Sequence, residues 1–336
     1  MGYFEWYEFI KNIKTGKIMI KKNPTKIIIL FLLCSFCFAC NSKKGNKEAI
    51  ETPTSGKIKI AVDESFRPII DAELLVFQGI YKEAQIEPIY LPENKLSEQL
   101  RNGTVNLIIS SKTLSQREKQ FFTDNKLVSK ELAIAKDAIA IVINKENIDS
   151  ILSVDQVKQI LIGKISSWKE LNPKSKSDNI EVVFDNKNSG TVRYAIDSIC
   201  KGEKLTNHVS AMDKNTDVIE YVNKHKNSIG FIGVSWVSDK DDSTQLSFLK
   251  KVQVLSISKQ PKATYDNSYQ PYQAYVFKGW YPFTRIMYAI NTDPKNGLAT
   301  GFVSFLGSDK GQRIILKSGV LPIVAPSRVV NVRDSY

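Results

Sequence analysis

A short turn near the middle of the chain carries the residues best suited to hold a negatively charged group. It lies in Val182-Val-Phe-Asp185-Asn-Lys-Asn-Ser189-Gly190-Thr191-Val-Arg193, where a strand is predicted to end at Phe184 and a helix to begin near Thr191. A helix N-terminus offers unpaired N–H groups and a partial positive charge, and glycine lets an anion approach the backbone closely. Ser189 and Thr191 add hydroxyl donors, and Arg193 adds a guanidinium. The pattern predicts an oxyanion-binding turn, although Ser189 or Thr191 could instead simply cap the helix.

Two further strand ends carry donors of the same kind. After the first predicted strand, Ser65 and the backbone N–H of Phe66 could face a cleft, and Arg67 is either a ligand or a solvated side chain. After the strand at residues 105–109, a serine pair begins at Ser110. Because ligands of open α/β sheets bind at the carboxyl ends of the strands, we expect these turns to surround one cleft.

The elements that must position these turns alternate between strand and helix from Lys57 onward. Strands are predicted at 58–62, 86–91, 105–109, 133–144, 180–184, 228–233 and 252–257, and helices at 69–84, 96–102, 154–162, 191–200, 217–226 and 297–317. This alternation predicts an α/β fold with mixed, mostly parallel sheets flanked by helices.

The order of the predicted elements indicates two lobes. A first α/β unit begins at the start of the domain and a second unit follows it. Further strand and helix are predicted after the second unit, and these would complete the first. We therefore expect a discontinuous lobe I at residues 57–143 plus 252–336, and lobe II at 144–251. Two connecting strands, at 137–144 and 250–257, would form a hinge.

The first 40 residues belong to a different compositional class. The apolar run at 27–39 follows a lysine-rich segment and is shorter than the roughly 20 residues that span a bilayer. It is typical of a signal peptide, with Cys40 as the lipid-attachment site and translation beginning at Met19. Residues 41–56 are polar and predict a tether. The alternative is an uncleaved signal or plain membrane anchor.

Charge and composition exclude several classes of function. Removing residues 1–39, which hold six Lys and two Glu, lowers the net charge from +12 to +8. The remaining lysines are scattered and do not alternate with aromatic residues, so we expect no nucleic-acid binding. Cys37 is an alternative lipidation site, but the bulky Phe36 precedes it. Cys200 is predicted to be a small buried side chain.

Catalytic patterns are also lacking in the sequence. An enzyme needs a nucleophile–base pair, paired acids or a metal cluster. The two histidines, His208 and His225, lie in polar surroundings typical of surface positions, and no glycine-rich nucleotide loop is present. We therefore expect neither an enzyme nor a cofactor or metal. Trp168 is predicted to pack in the core rather than to stack on a sugar.

Five stretches together resemble the phosphate-binding subunits of phosphate ABC importers, the PstS-like family of type II periplasmic binding proteins. They are Ile162-Gly-Lys-Ile-Ser-Ser-Trp168-Lys-Glu-Leu171-Asn-Pro173, Ser189-Gly-Thr191, Ser228-Ile-Gly-Phe231, Tyr281-Pro-Phe-Thr-Arg285-Ile-Met-Tyr288, and Phe302-Val-Ser-Phe-Leu-Gly-Ser-Asp-Lys-Gly311-Gln312-Arg-Ile-Ile-Leu-Lys-Ser-Gly319-Val-Leu-Pro322. In order and spacing they extend over nearly the whole chain after the signal.

The resemblance implies a two-lobed fold with a two-strand hinge and specific ligand positions. The family's oxyanion loop corresponds to Ser189, Gly190 and Thr191, and its Thr/Ser-Phe pair to Ser65 and Phe66. Two positions depart from the family: Asp185 stands where an arginine is common, and Asn106 where an aspartate accepts a hydrogen bond from protonated phosphate. Our hypothesis is that Arg193 or Arg67 supplies the missing charge. Loss of the aspartate would weaken discrimination against sulfate.

The implied function is high-affinity phosphate binding with hinge closure and delivery to an ABC permease and ATPase. The protein would be exported, monomeric and held at a membrane by a lipid on Cys40, in the periplasm or at the cell surface. The alternative is an extracytoplasmic sensor or scaffold that binds another oxyanion, such as sulfate or molybdate, without transport.

Overall fold

The computed structural model describes residues 51–238 and 248–326. The predicted signal peptide, its start at Met19, the attachment site Cys40 and most of the tether lie outside these residues. The strands are β1 (Gly56–Asp63), β2 (Ala84–Leu91), β3 (Leu107–Ser110), β4 (Lys130–Asn144), β5 (Ile151–Ser153), β6 (Glu181–Phe184), β7 (Val209–Ala211), β8 (Ser228–Gly233), β9 (Val252–Val254), β10 (Ser256–Ser258), β11 (Ser268–Tyr269), β12 (Thr284–Asn291) and β13 (Leu321–Pro322).

Helices cover the faces of these strands. The α-helices are α1 (Arg67–Ile80), α2 (Leu96–Arg101), α3 (Gln116–Asp124), α4 (Val154–Leu161), α5 (Trp168–Leu171), α6 (Gly190–Tyr194), α7 (Asn215–Lys224), α8 (Gln273–Phe277), α9 (Leu298–Gly307) and α10 (Asp309–Lys317). Tighter 3-10 turns occur at Glu64–Phe66, Glu93–Lys95, Val234–Trp236 and Tyr265–Asn267, and a wider π-helical turn at Ala195–Ile199. Among residues 51–238 and 248–326, no helix combines the length and the apolar character that a bilayer crossing requires.

One mixed sheet organises the described part of the chain. Its strand order is β2-β1-β3-β12-β4-β8-β6-β7, with β9 and β13 also bonded to β4. Parallel pairing is confined to β1 with its two neighbours and to β6 with its two neighbours, whereas β12, β4 and β8 run antiparallel to one another. The sheet is therefore mixed as expected, but parallel pairs are not the majority. A small separate sheet has the order β11-β10-β5.

The long strand β4 belongs to both halves of the sheet. Its residues 130–138 pair with β12, and its residues 139–143 pair with β8. We call β1–β3, β12, β13 and residues 130–138 the first half, and β6–β9 with residues 139–144 the second half. The division into two lobes at the predicted boundaries stays a prediction, but β9 pairs with β4 in the second half, and the chain returns to the first half at β12.

The core forms where apolar faces meet on both sides of the sheet. Residues 139–143 of β4 are buried on both faces, as expected of a strand covered by helices on each side. In the first half, Phe77 of α1 packs edge-on against Phe302 and Phe305 of α9, with ring centroids 5.3 and 5.2 Å apart. Trp168 is fully buried and its Nε1 donates to the carbonyl of Asn227 at 2.8 Å, which confirms its predicted core position.

Several predicted elements differ from the structure at their ends. The helix expected at 69–84 is α1, which ends at Ile80 because Ala84 already begins β2. The helix expected at 297–317 is two helices, broken where Ser308 caps α10 by accepting a hydrogen bond from the N–H of Gly311. The strand expected at 252–257 divides into β9 and β10, which pair with different neighbours.

The end of the predicted tether is packed against the fold. A carboxylate oxygen of Glu51 accepts a hydrogen bond from the N–H of Leu298 at 2.8 Å, at the start of α9. The hydroxyls of Thr52 and Ser55 are 2.7 Å apart, and Gly56 begins β1. The folded domain therefore begins by residue 51 rather than 57.

Candidate functional site

The turn between β6 and α6 is built as a helix start. The hydroxyl of Ser189 accepts a hydrogen bond from the N–H of Val192 at 3.2 Å and donates to the carboxylate of Asp185 at 2.6 Å. Ser189 therefore does cap the helix, as the simpler alternative predicted. Gly190 and Thr191 are buried beside it, and the Thr191 hydroxyl lacks a hydrogen-bond partner among the described residues.

Gly190 lies against three polar groups from the first half of the sheet. A Cβ atom at this position would lie 2.4 Å from Asp63 Oδ2, 3.0 Å from Ser111 Oγ and 3.2 Å from Arg285 Nη1. A side chain here would collide with the carboxylate, so only glycine allows this approach. The geometry brings a carboxylate, a hydroxyl and a guanidinium around one backbone position of the second half.

Arg285 lies at the centre of the sheet, directly opposite Asp137 in the β12–β4 pair. Its Nε donates to Asp137 Oδ2 at 2.8 Å, and its Nη2 donates to Ser65 Oγ at 2.8 Å. The guanidinium carbon lies 4.6 Å from the centroid of the Phe66 ring. Both charged residues are buried, and within residues 51–238 and 248–326 Nη1 of Arg285 has no partner.

Asp63 ends β1 and begins the turn that carries Ser65. Its Oδ1 accepts hydrogen bonds from the backbone N–H and the hydroxyl of Ser65, at 3.0 and 2.9 Å. Its Oδ2 is buried without a partner in the part of the chain that the structure describes. Burial, opposed by Arg285 and reinforced by Glu93 and Asp185, raises the pKa of Asp63 to about 7.

Arg193 is engaged by a buried carboxylate. It forms an ion pair with Glu93, which follows β2, and its Nη2 also donates to Ser111 Oγ at 2.8 Å. Glu93 accepts further hydrogen bonds from Ser110 Oγ at 3.2 Å and from the N–H of Ser111 at 3.0 Å. Burial alone would raise the pKa of Glu93, but the hydrogen bonds and charge of Arg193 hold it below its usual value. The contacts of Arg193 with Glu93 and Ser111 join the two halves of the sheet.

Arg67 begins α1, directly after the turn that carries Ser65. Its guanidinium carbon is 4.1 Å from the centroid of the Tyr90 ring, and the Tyr90 hydroxyl donates to Asp71. Arg67 therefore contacts an aromatic face rather than the group around Gly190. A cavity of about 150 Å³ adjoins Arg67, Tyr90 and Asp63.

The structure brings most of the predicted site residues together. Ser65, Phe66, Ser110, Ser189, Gly190 and Thr191 all lie at or beside the group described above. Asn106 does not, because it is exposed and precedes β3, whereas the site lies at the opposite end of that strand, at Ser110 and Ser111. A ligand role for Asn106 is therefore a wrong expectation for this chain.

Three residues that contribute charge were missing from the predicted site. Asp63 ends β1, Glu93 follows β2, and Arg285 lies within β12. Arg285 lies in a stretch that carried the family resemblance, so a signal was present in the sequence. Its role was hidden because only the register of β12 against β4 points it at Ser65.

Asp185 occupies the position where the family commonly has an arginine. It accepts hydrogen bonds from the hydroxyl of Ser189 and from Nδ2 of Asn215, the latter at 3.2 Å. Burial raises the pKa of Asp185 to about 6, with the Ser189 hydrogen bond opposing and the charge of Glu64 adding to the rise. Asp185 therefore orients the turn and does not supply positive charge.

A sequence model of the PBP superfamily domain, the periplasmic-binding-protein superfamily, matches residues 47–310. The chain belongs to the PBP superfamily. Proteins of this kind bind a substrate and do not transform it. The chain is also 24% identical over 289 residues to a Staphylococcus aureus phosphate-binding protein PstS, an alignment that covers 84% of this chain and 81% of that protein.

Solved structures share the fold of this PBP-superfamily chain. A putative phosphate ABC transporter substrate-binding protein with bound phosphate from Clostridium perfringens superimposes with a TM-score of 0.67 at 24% identity, covering 80% of this chain and all of that one. An ABC-type phosphate transport receptor from Vibrio cholerae gives 0.59 at 20% identity, again over 80% of this chain and all of the other. Membership of the PBP superfamily and the predicted type II binding-protein fold are confirmed.

Proposed function

We propose that this PBP-superfamily protein binds inorganic phosphate between the two halves of its sheet and delivers it to an ABC importer. One observation carries the proposal. Arg285 Nη1, Asp63 Oδ2 and Thr191 Oγ1 are buried near Gly190 and have no partners among the described residues. Leaving buried polar atoms unpaired costs free energy, so their convergence favours a ligand that pairs with all three.

A tetrahedral oxyanion has the chemistry that these groups require. Arg285 offers a charge-assisted hydrogen bond from a guanidinium already fixed by Asp137 and Ser65. Thr191 offers a hydroxyl, and Gly190 lets the anion approach the backbone at the start of α6. The charge that the family's arginine would supply comes, in this proposal, from Arg285 rather than from Arg193 or Arg67.

Asp63 favours phosphate over sulfate. An ionised carboxylate only accepts hydrogen bonds, so above the Asp63 pKa of about 7 a ligand facing its Oδ2 must carry a proton of its own. Phosphate near neutral pH retains a P–OH group that can donate to the carboxylate, whereas sulfate is fully ionised and would face it with like charge and no donor. In this proposal Asp63 takes the discriminating role that the family's aspartate has at the position of Asn106.

The relatives support transport as the context. The Staphylococcus aureus relative is named for phosphate binding, and the Clostridium perfringens structure contains bound phosphate and is named for a phosphate ABC transporter. Their names do not favour the sensor or scaffold alternative. A binding protein of this kind would work as a monomer that closes on its ligand and docks on a permease.

Calorimetric titration of residues 41–336 tests the ligand assignment. We expect phosphate to bind with a dissociation constant of about 1 μM or tighter, which corresponds to about −8 kcal/mol. Sulfate and molybdate should bind at least a hundredfold more weakly than phosphate. Asp63→Asn should reduce the difference in affinity between phosphate and sulfate, by strengthening sulfate binding and weakening phosphate binding. A folded protein that gives no heat with phosphate, or a wild type that prefers sulfate, would refute the assignment.

We also propose export and lipid anchoring, with Cys40 as the modified N-terminus after translation from Met19. The apolar run at 27–39 and the small residue before Cys40 support this. Mass spectrometry of the protein purified from membranes should find an acylated peptide beginning at Cys40. Recovery of a peptide that contains Trp6, or of protein without lipid, would contradict the proposal.

A further inference from the structure

Acidic groups outnumber basic ones around the proposed anion site. Five carboxylates surround it (Asp63, Glu64, Glu93, Asp137 and Asp185), against the guanidinium groups of Arg67, Arg193 and Arg285. Arg285 forms an ion pair with Asp137, and Arg193 forms one with Glu93. Where these carboxyl groups are ionised, an anion alone would add negative charge to a negative environment, which favours a ligand that also carries positive charge.

The cavity of about 150 Å³ gives such a ligand room for a second group. Asp63 and Ser189 line both this cavity and the proposed anion site, whereas Gly190, Thr191 and Arg285 do not line it. The cavity therefore lies beside the anion position and not on top of it. At roughly 30 Å³ for each water molecule, the volume of the cavity corresponds to about five water-sized groups.

The wall of the cavity is rich in carboxylates. Glu64, Asp185 and Asp213 line it together with Asp63, and Asp63 is fully buried with Oδ2 unpaired among the described residues. Glu64 is fixed, because its Oε2 accepts hydrogen bonds from the backbone N–H and the side-chain amide of Asn215, at 3.3 and 2.5 Å.

Two cations, Arg67 and Lys214, line the same cavity as the four carboxylates, so an acidic excess remains there. Arg67 is held over the ring of Tyr90, whose hydroxyl donates to Asp71, and Lys214 is exposed at the rim. Burial raises the pKa of Glu64; the hydrogen bonds from Asn215 and the charge of Arg67 oppose the rise, and the charge of Asp63 adds to it. A positive group in the cavity would relieve this repulsion.

We infer that the site also accepts short phosphorylated amines, phosphomonoesters or phosphonates whose protonated amine lies in the cavity between Glu64 and Asp185. The inference rests on the proposed function, since the phosphoryl group would occupy the position assigned to phosphate. The two-carbon spacer of phosphoethanolamine fits a cavity of this size. An ammonium group there would donate to carboxylates that phosphate alone cannot reach.

Competition calorimetry with two probes of nearly equal size tests the inference. Phosphoethanolamine and ethyl phosphate would each be titrated into the phosphate-loaded protein, residues 41–336, at one pH. We expect phosphoethanolamine to bind at least tenfold more tightly than ethyl phosphate, because the two differ in the terminal amine. A ratio within threefold of one would overturn the inference.

Variants then assign the effect to the cavity. Glu64→Gln retains an oxygen for Asn215 and should reduce the ratio of the two affinities to threefold or less, and Asp213→Asn at the exposed rim should reduce it in part. The matched control, Glu87→Gln on the exposed face of β2, should leave the ratio at its wild-type value. An unchanged ratio in both cavity variants would also contradict the inference.

The outcomes separate the two proposals. If phosphate binds but neither probe displaces it, the cavity does not admit a substituent and only this inference fails. If phosphate gives no heat while phosphoethanolamine binds, the proposed ligand is wrong and the amine preference stands. If none of the three compounds binds to protein that unfolds cooperatively on heating, both proposals fail.

Discussion

At the scale of single residues, Arg285 is positioned before any ligand arrives. Asp137 and Ser65 each accept from one of its nitrogens, and the Phe66 ring lies beneath its plane. A guanidinium that is already fixed loses little conformational freedom on binding, so more of each hydrogen bond appears as affinity. Removing Arg285 altogether would leave Asp137 as an uncompensated buried charge, which makes a milder substitution the better probe.

Arg285→Lys is expected to weaken phosphate binding at least tenfold although it keeps the positive charge. A lysine cannot contact Asp137, Ser65 and a ligand in the same fixed fork geometry. Calorimetry would measure the change. The control is Arg313→Lys, because Arg313 is exposed and pairs with Asp309 on α10. Unaltered affinity in Arg285→Lys would show that this guanidinium does not contact the ligand.

At the scale of elements, the β6–α6 turn depends on the absence of a side chain at Gly190. A methyl group there would lie 2.4 Å from Asp63 Oδ2, so the two halves of the sheet could not approach as closely as they do.

We expect Gly190→Ala to lower phosphate affinity at least a hundredfold while the protein remains folded. Equilibrium dialysis with labelled phosphate and circular dichroism would measure the two properties. Gly79→Ala is the matched control, since a Cβ there meets no atom within 4 Å and alanine favours a helix by roughly 0.5–1 kcal/mol. Normal binding by Gly190→Ala would place the ligand elsewhere.

Local patterns were enough to predict most elements of the fold. Alternating apolar residues predicted β1, and helical spacing predicted α1 and α4, because both signals depend on near neighbours in the sequence. The break at Ser308 was missed because α9 and α10 have continuous helical composition, and only the cap at Ser308 separates them.

The site was predicted only in part, because only some of its residues are neighbours in the sequence. Ser189, Gly190 and Thr191 are adjacent in the sequence, so their turn could be recognised. Arg285 and Asp63 are more than 200 positions apart, and their approach depends on the register of β12 with β4 and β3. Charge placement of this kind is a tertiary property that a single sequence does not display.

At the scale of the whole molecule, Glu93 and Arg193 connect the first half to the second. They are separated by 100 positions and form a partly buried ion pair that also includes Ser111. Removing Arg193 leaves the buried Glu93 carboxylate without compensation, which disfavours the contact between the two halves.

Arg193→Ala is therefore expected to shift the protein without ligand toward a more open form and to weaken phosphate binding about tenfold. Small-angle scattering should show a larger radius of gyration without ligand and a return toward the wild-type value with phosphate. Arg313→Ala, at an exposed pair, serves as the control. A wild-type scattering curve for Arg193→Ala without ligand would contradict this role for the ion pair.

Buried carboxylates also predict how stability depends on pH. Glu73 in α1 is fully buried, its two oxygens lack partners among the described residues, and burial raises its pKa to about 9. Between its ordinary value of 4.5 and about 9, the folded protein holds a proton that the unfolded chain releases, so stability falls as pH rises. The slope is about 1.4 kcal/mol per pH unit for one such group.

Glu73→Gln should flatten this slope, with little change at pH 5 and a higher free energy of unfolding than wild type at pH 8. Urea unfolding at several pH values would measure both proteins, and Glu87→Gln on the exposed face of β2 is the control. Asp63 and Asp185 should leave a residual slope of the same sign below about pH 7. Equal slopes for Glu73→Gln and wild type would show that Glu73 is ionised in the folded protein.

The strand β4 has a mechanical consequence. It is common to both halves of the sheet, and the Asp137–Arg285 pair lies where its partner changes from β12 to β8. Twisting β4 at that point would leave the guanidinium almost stationary while the outer strands β2 and β7 travel furthest. The pivot and the proposed binding position then coincide. A small ligand bound there would control a much larger movement of the outer strands. Spectroscopic labels on the outer strands would report occupancy with the greatest sensitivity.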